Sequence, residues 1–166
     1  MRDAPLIGIA APGSGLGKTR LILALLDEFA RRGVLTAVLK HAHHISWPEN
    51  KDSSLYMQHG AAAALLIAPT CWLLSAAPEE EPDFAVAQGM LRQSAPVDIV
   101  MVEGYKQGTH PKLLLTEETT SMEMLLPHTV ALVSEKAQHL PLPCFSCLDT
   151  ANIADFIMSY CGVGGR

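Results

Sequence analysis

The sequence predicts an α/β protein in which a mostly parallel sheet is flanked by helices on both faces. Short, continuously apolar runs alternate along the chain with amphipathic segments, and such runs are typical of parallel strands buried on both sides. A glycine-rich turn joins the first apolar run to the first amphipathic segment. At 166 residues the chain has the size of one domain. We therefore expect a single domain over residues 1–161 and a flexible tail over residues 162–166.

Seven apolar runs are the candidate strands. Most of them carry no internal charge, as expected for strands inside a covered sheet. The first run leads straight into the glycine-rich turn, which favours a buried strand over a secretion signal. The seven are Leu6–Ala11, Leu35–Lys40, Ala63–Ile67, Cys71–Ser75, Ile99–Glu103, Lys112–Thr116 and Val130–Ser134.

The first helix is predicted to begin near Gly17 and to stop before Gly33, which supplies a C-terminal signal. Its apolar positions recur at helical spacing and form one stripe. The stripe consists of Leu21, Ile22, Leu25, Leu26 and Phe29. Three shorter helices are predicted at Ser53–His59, Phe84–Gln93 and Ile153–Tyr160, the last with Asp149 or Thr150 as its cap.

Composition excludes several classes of protein. The formal net charge is -5, and the longest basic cluster is Arg31-Arg32, which argues against nucleic-acid binding. No apolar run approaches the roughly 20 residues that a membrane-spanning helix needs. The four cysteines show no disulfide-framework spacing, which favours a reducing cytoplasm.

The segment between the first strand and the first helix has the composition of a phosphate-binding loop. It reads Pro12-Gly13-Ser14-Gly15-Leu16-Gly17-Lys18-Thr19. Small residues let backbone N–H groups curl around a phosphate, and the helix N-terminus adds partial positive charge. The Lys18 ammonium can reach the β- and γ-phosphates, and the Thr19 hydroxyl can ligate a bridging Mg²⁺. The predicted nucleotide-binding residues are Gly13, Ser14, Gly15, Leu16, Gly17, Lys18, Thr19 and Arg20.

This loop departs from the full G-x-x-x-x-G-K-[ST] pattern at its first position, where Pro12 replaces glycine. Proline fixes φ and removes a donor, so the N–H contacts must start at Gly13. A dinucleotide-binding G-x-G-x-x-G is excluded, because Lys18 stands where its third glycine would be. The strand, loop and helix together predict a P-loop NTPase fold.

Polar residues collect where the predicted strands end. Ligands bind beyond the carboxyl ends of strands in such sheets. Lys40-His41 ends the second strand, Glu103 ends the fifth and Ser134-Glu135-Lys136 ends the seventh. A carboxylate beside a phosphate loop can hold a Mg²⁺-bound water or orient an attacking one. We therefore take Lys18 and Glu103 as catalytic candidates, and Thr19 and Glu103 as the Mg²⁺ ligands.

A histidine cluster follows the second predicted strand. In an extended chain His41 and His43 point to one side and His44 to the other. Three interpretations stay open: ligation of a transition metal such as Zn²⁺, contact with phosphate or an anionic pterin, and a solvated polar loop. Asp52 follows shortly afterwards, where it can fold back toward the nucleotide or cap a helix.

A single C-x-x-C pair, Cys144 and Cys147, lies among prolines and apolar residues. We favour buried strand cysteines over a Zn²⁺ site shared across a dimer and over a redox pair, because the chain contains no second C-x-x-C pair.

The combination of these motifs resembles the MobB family of molybdopterin guanine dinucleotide biosynthesis adapter proteins, which belongs to the P-loop GTPases related to signal-recognition and metal-insertase proteins. The resemblance runs over nearly the whole chain, and the histidine cluster makes it far more specific than a phosphate loop alone. It rests on the Ser14-to-Thr19 loop, Lys40-His41-x-His43-His44, Lys51-Asp52-Ser53, Gly60-Ala61 and Val102-Glu103-Gly104-Tyr105-Lys106.

The resemblance implies a cytoplasmic, homodimeric GTP-binding protein that uses Mg²⁺, hydrolyses GTP weakly and assists the guanylyltransferase that attaches GMP to molybdopterin. Molybdopterin itself is an implied ligand. On this resemblance Gly13–Thr19 hold the triphosphate, and Thr19 and Glu103 serve the metal. The functional face is implied to contain Lys40, His41, His43, His44, Asp52 and Lys106.

Two other functions stay open from the residues alone. The histidines and the C-x-x-C pair suggest a metallochaperone NTPase of the nickel-insertion type, and the phosphate loop also suits a small-molecule kinase. The guanine-reading N-K-x-D is absent, so a preference for guanine rests on the resemblance. Hydrolysis is expected to be slow, because no glutamine or arginine finger is evident.

Overall fold

The computed structural model describes residues 4–42, 44–45 and 52–164. It confirms an α/β fold with a mostly parallel sheet flanked by helices. The strands are β1 Leu6–Ala10, β2 Thr36–Lys40, β3 Ala63–Ala68, β4 Cys71–Ala76, β5 Ile99–Glu103, β6 Lys112–Leu115, β7 Thr129–Val133 and β8 Cys144–Phe145. The helices are α1 Lys18–Arg31, α2 Asp52–Gln58, α3 Phe84–Ser94 and α4 Thr150–Cys161, with a 3-10 turn at Met122–Met124.

The chain divides into two compact units, one within residues 1–41 and 88–166 and the other within residues 42–87. The single-domain expectation for residues 1–161 stays a prediction. Of the tail expected over residues 162–166, the last two residues lie outside the described part. None of the helices in the described ranges combines the length and the apolar character needed to cross a bilayer.

The larger unit is built on a six-stranded parallel sheet in the order β2-β5-β1-β6-β7-β8. Because all six strands are parallel, their carboxyl ends meet at one edge. The phosphate loop follows β1, so it lies at that edge between the ends of β5 and β6. This arrangement positions the candidate site.

The predicted apolar stripe of α1 faces the core. Leu25 and Phe29 are fully buried, and they pack with inward-facing strand residues and with Ile153 of α4. Burying each such side chain contributes about 2 kcal/mol. Arg32 joins the two helices, because it donates to Glu28 of α1 and to Asp155 of α4. The predicted cap of α4 is confirmed, since the Asp149 side chain accepts from the Asn152 N–H.

The connection from β5 to β6, residues 104–111, contains no helix and passes over β1 at Gly8. A Cβ atom on Gly8 would lie 2.8 Å from His110 Nε2 and 2.8 Å from Lys112 Cβ, so only glycine fits there. The Gly8 N–H donates to the Pro111 carbonyl at 2.8 Å. This close passage was not foreseen from the sequence.

Lys112 anchors the end of this connection inside the protein. Its side chain is fully buried, and its ammonium donates to the carbonyls of Gly108 at 2.7 Å, His110 at 3.1 Å and Pro127 at 2.7 Å. Three acceptors satisfy the three ammonium hydrogens, which offsets part of the cost of burying the charge. Burial lowers the pKa of Lys112.

His110 makes the stability of this connection sensitive to acid. Burial first, and then the charges of Lys112 and His128, lower its pKa from 6.5 to about 4. The unfolded chain therefore binds a proton between these values and the folded chain does not, so stability falls as pH falls through that window. From pH 7 to pH 5 the loss is about 2 kcal/mol.

The variant His110→Asn is expected to lose about 2 kcal/mol less stability than the parent protein between pH 7 and pH 5, because asparagine does not titrate there. Urea unfolding at both pH values measures the difference. The exposed His139→Asn serves as the control and should keep the parent's acid dependence. An identical acid loss in His110→Asn and the parent protein would contradict the assignment.

The smaller unit contains α2 and a hairpin of β3 and β4. These two strands were expected within the mostly parallel sheet, but they pair with each other, antiparallel, in a separate sheet. A two-residue connection, Pro69-Thr70, allows only this antiparallel pairing, since a parallel crossover needs a dozen or more residues. Ser54 of α2 is fully buried.

The interpretation of Cys144 and Cys147 as buried strand cysteines is wrong, because both are exposed. Cys144 does lie in a strand, but β8 is a two-residue strand at the edge of the sheet. An edge strand is covered on one side only. Cys147 lies beyond the strand, in a turn.

Candidate functional site

The phosphate loop has the backbone that its glycines predict. Gly15 and Gly17 have φ of 79° and 81°, a left-handed conformation that glycine adopts without strain. Gly17 is also the N-cap of the 14-residue helix α1, whose first turn contains no acidic residue. The N–H groups and the partial positive charge of this helix end therefore face an open, exposed loop. The loop can accept an anion.

Lys18 lies over this loop. Its ammonium donates to the Gly13 carbonyl at 2.9 Å, in an exposed position. A carbonyl is a weaker partner for an ammonium than a phosphate oxygen, so an incoming phosphate can take over this contact.

Thr19 and Glu103 meet at the edge of the sheet, as predicted. The Thr19 hydroxyl lies 3.1 Å from Glu103 Oε1 and 3.3 Å from Oε2. Glu103 closes β5 and is buried. A hydroxyl and a carboxylate are the hard oxygen ligands that Mg²⁺ takes from a protein when phosphates and water complete its shell. The pair therefore fits a nucleotide-bound Mg²⁺.

The described residues contain no cluster of three or more histidine, cysteine, aspartate or glutamate side chains suited to hold a metal ion by themselves. At the Thr19–Glu103 pair, nucleotide and water oxygens would complete the shell of an ion. This arrangement is usual for Mg²⁺, which binds proteins through one or two carboxylates together with substrate phosphates.

Lys40 and His41 hold Glu103 from the neighbouring strand. Lys40 is paired with Glu103 in the register of β2 and β5, and its ammonium lies 3.4 Å from Glu103 Oε2. The His41 N–H donates to the Glu103 carbonyl at 2.9 Å. Gly104 has φ of 102°, and a Cβ there would lie 3.0 Å from His41 Cβ. The His41 ring packs against the Tyr105 ring at a tilt of 36°, with centroids 4.8 Å apart.

Lys106 contacts the proline that opens the loop. Its ammonium donates to the Pro12 carbonyl at 2.9 Å. Proline has no N–H to offer, but its carbonyl remains an acceptor. The connection after β5 is therefore hydrogen-bonded to the start of the phosphate loop, and Lys106 lies beside that loop.

The other predicted residues are distributed as follows. Arg20 is exposed in the first turn of α1. His44 is exposed and Asp52 begins α2, and both belong to the smaller unit. His43 lies outside the described residues. The larger unit thus brings together six of the predicted residues, which are Lys18, Thr19, Lys40, His41, Glu103 and Lys106.

A cleft of about 230 Å³ opens beside the phosphate loop at the carboxyl ends of β6 and β7. Leu16 of the loop forms one wall, so the cleft is continuous with the phosphate-binding region. The cleft is lined by Leu16, Leu115, Thr116, Glu117, Val133, Ser134, Glu135, Lys136 and Cys147. Sequence reasoning placed residues 134–136 at this edge but missed Thr116 and Glu117. Thr116 ends a predicted strand and Glu117 follows it directly, and this position was the available signal.

Side-chain contacts hold the two loops of this cleft together. The Lys136 ammonium lies 2.7 Å from Glu118 Oε2. Gln138 donates to the Ser134 hydroxyl at 3.1 Å and accepts from the Thr120 N–H at 2.9 Å. These contacts fix the loops that line the cleft relative to each other.

Glu135 fixes the far wall of the cleft. It accepts from the Ser146 hydroxyl at 2.7 Å and from the Cys147 N–H at 2.8 Å. Hydrogen bonds from the Cys147 thiol and the Ser146 hydroxyl lower the pKa of Glu135. The same thiol contact raises the pKa of Cys147, which lowers the fraction of thiolate, the reactive form of cysteine.

The family model described as "Molybdopterin guanine dinucleotide synthesis protein B" matches residues 6–135. Two similar proteins are each named "Molybdopterin-guanine dinucleotide biosynthesis adapter protein". The one from Escherichia coli (strain K12) is 27% identical, over 94% of this chain and 93% of its own length. The one from Haemophilus influenzae is 33% identical, over 94% of this chain and 89% of its own length.

Solved structures show the same fold. The chain superposes on Bacillus subtilis MobB with a TM-score of 0.74 at 23% identity, covering 93% of this chain and 96% of that one. A MobB homologue from Bacillus stearothermophilus gives a TM-score of 0.70 at 21% identity, covering 95% and 97%.

Proposed function

Because the chain belongs to the molybdopterin guanine dinucleotide synthesis protein B family, we propose that it is a GTP-binding adapter in molybdenum cofactor synthesis. The observation that carries the proposal is the meeting of Thr19, from the phosphate loop, with the buried carboxylate of Glu103. The relatives named above as adapters support the role in molybdopterin guanine dinucleotide synthesis. They favour it over a metallochaperone or a kinase.

The triphosphate is proposed to bind across residues 13–19, with Lys18 leaving the Gly13 carbonyl for a phosphate oxygen. Arg20 follows in the first turn of α1, where its charge adds to the attraction for the nucleotide. Thr19 and Glu103 hold Mg²⁺, whose charge offsets that of the phosphates. Glu103 is also proposed to orient the water that attacks the terminal phosphate, and hydrolysis is expected to be slow.

The nucleobase is proposed to enter the cleft beside Leu16. Guanine presents two donors, N1–H and the N2 amino group, on one edge, whereas adenine presents an acceptor at N1. The exposed carboxylate of Glu117 offers only acceptors, so it complements guanine and repels the adenine N1. Glu117 thereby replaces the absent aspartate of N-K-x-D.

Titration with GTP, GDP and ATP in the presence of Mg²⁺ tests this proposal. We expect GTP to bind about tenfold or more tightly than ATP, because a mismatched base leaves a charged group unpaired. Glu117→Gln should reduce this preference, and Glu123→Gln, an exposed glutamate outside the cleft, should keep it. A preference of the parent protein for ATP would refute the guanine assignment.

The adapter role requires a partner, and we propose the guanylyltransferase of molybdenum cofactor synthesis, in the cytoplasm. The predicted functional face, with Lys40, His41 and Lys106 beside the site, offers positive charge and aromatic surface to an anionic pterin or to the enzyme that holds it. Capture from a cell lysate with and without a non-hydrolysable GTP analogue tests this. Recovery of the guanylyltransferase only with the analogue is the expected result.

We also propose that the protein is a homodimer built through the hairpin. One face of β3–β4 exposes four large apolar side chains that pair across the strands, Leu65 with Leu74 and Ile67 with Trp72. Between 49% and 79% of each remains exposed. An apolar patch of this kind marks an interaction surface, and the free strand edges of a two-stranded sheet can pair with a second copy.

Sedimentation of the purified protein is expected to give a dimer, and Ile67→Asp a monomer, since a charge cannot be buried unpaired in the interface. Leu23→Asp provides the matched control. Leu23 is 58% exposed on α1, outside the hairpin, and its replacement should leave the dimer intact. A monomeric parent protein would refute the proposal.

A further inference from the structure

Three lysine ammonium groups surround the candidate phosphate and metal sites, and they have different partners. Lys18 and Lys106 donate to the backbone carbonyls of Gly13 and Pro12. Lys40 instead lies 3.4 Å from the carboxylate of Glu103. Among the described lysines at this edge, Lys40 is therefore the one placed against the proposed metal ligand.

The position of Lys40 opposite Glu103 is fixed by backbone pairing. The two residues are partners in the parallel register of β2 and β5, so their side chains leave the sheet on the same side. The hydrogen bond from the His41 N–H to the Glu103 carbonyl continues this pairing beyond the strand. Gly104 has no Cβ, which lets the two strand ends approach closely at His41. The backbone of Lys40 cannot be displaced without moving a strand of the sheet. Its side chain, in contrast, can change rotamer.

The two side chains differ in exposure. Glu103 exposes 11% of its side chain and Lys40 exposes 52%. A buried carboxylate needs a compensating cation, because an unpaired charge loses its hydration on burial. An exposed lysine has room to leave when a stronger cation arrives. The pair thus combines a fixed anion with a replaceable cation.

We propose that the Lys40 ammonium is the counter-ion of the Glu103 carboxylate until Mg²⁺ binds there and replaces it. The proposal rests on the function proposed above. When Mg²⁺ is absent, the Lys40 ammonium reduces the electrostatic repulsion between the Glu103 carboxylate and the triphosphate. Part of the GTP affinity is therefore independent of the metal. With Mg²⁺ bound, the ammonium and the metal repel each other, and Lys40 contributes little or opposes the metal.

The ratio of the GTP dissociation constants measured in EDTA and in excess Mg²⁺ tests the proposal. A fluorescent GTP analogue and the full chain are used. Lys40→Gln is expected to raise this ratio about tenfold, chiefly by weakening binding in EDTA. Lys40→Arg keeps the charge and should restore the ratio of the parent protein.

Lys106→Gln is the matched control, since it also removes a lysine charge beside the loop but not one paired with Glu103. It should weaken binding to a similar extent in both buffers and leave the ratio unchanged. Melting temperature adds a second readout without nucleotide. Lys40→Gln should melt lower than the parent protein in EDTA, because the buried Glu103 carboxylate then loses its lysine counter-ion.

The outcomes separate the two proposals. Failure of the parent protein to bind the GTP analogue in Mg²⁺ overturns both the proposed function and the role of Lys40. Normal binding with an unchanged ratio in Lys40→Gln overturns the role of Lys40 alone. Equal weakening of Lys40→Gln in both buffers also overturns it, because Lys40 would then be an ordinary phosphate ligand.

Discussion

Replacing Lys18 by alanine is expected to lower the affinity for GTP about 100-fold, equivalent to about 3 kcal/mol. The lysine supplies a charge-assisted hydrogen bond to phosphate in a loop that is otherwise built from neutral backbone donors. Its contact in the free protein is a single exposed hydrogen bond to the Gly13 carbonyl. Isothermal titration with GTP and Mg²⁺ measures the loss.

The fold should tolerate this change. Lys18 lies at the start of α1, outside the apolar stripe, and alanine is the best helix former. The control Arg31→Ala removes one positive charge from the last turn of the same helix and should leave the GTP affinity intact. A Lys18→Ala variant that binds GTP as the parent protein does would remove the phosphate loop from the proposed site.

The parts of the site that the sequence predicted are those with a local signal. The positive φ of Gly15 and Gly17 follows from a glycine-rich loop that must turn sharply before a helix. Glu103 was predicted because it ends an apolar strand, and parallel strands end at one edge. In both cases a few neighbouring residues contain the information.

The parts that were missed depend on residues distant in the sequence. Gly8 is an ordinary small residue in an apolar run, and nothing near it reveals that His110 lies against it. Thr116 and Glu117 form a cleft only when β6 and β7 are placed beside the phosphate loop. The β3–β4 hairpin has the apolar composition of buried strands, although its apolar side chains are exposed. Composition alone therefore did not distinguish these two strands from those of the parallel sheet.

Gly8→Ala is expected to cost about 2 to 3 kcal/mol of unfolding free energy, a large effect for the addition of one methyl group. The new Cβ would lie 2.8 Å from Lys112 Cβ and from His110 Nε2. Lys112 Cβ belongs to the adjacent strand and cannot swing away, and its ammonium is held by three carbonyls. The steric clash can therefore be relieved only if the 104–111 connection or the sheet itself shifts.

Gly89→Ala is the matched control for this substitution. Gly89 lies within α3, and a Cβ there would have no atom within 4 Å, so alanine should stabilise the helix by about 0.5 to 1 kcal/mol. Thermal unfolding of the two variants should thus move in opposite directions from the parent protein. If Gly8→Ala melted no lower than the parent, the connection would have to lie farther from β1 than His110 and Lys112 place it. The position of Lys106 in that connection, and with it the hydrogen bond to the Pro12 carbonyl, would then also be in question.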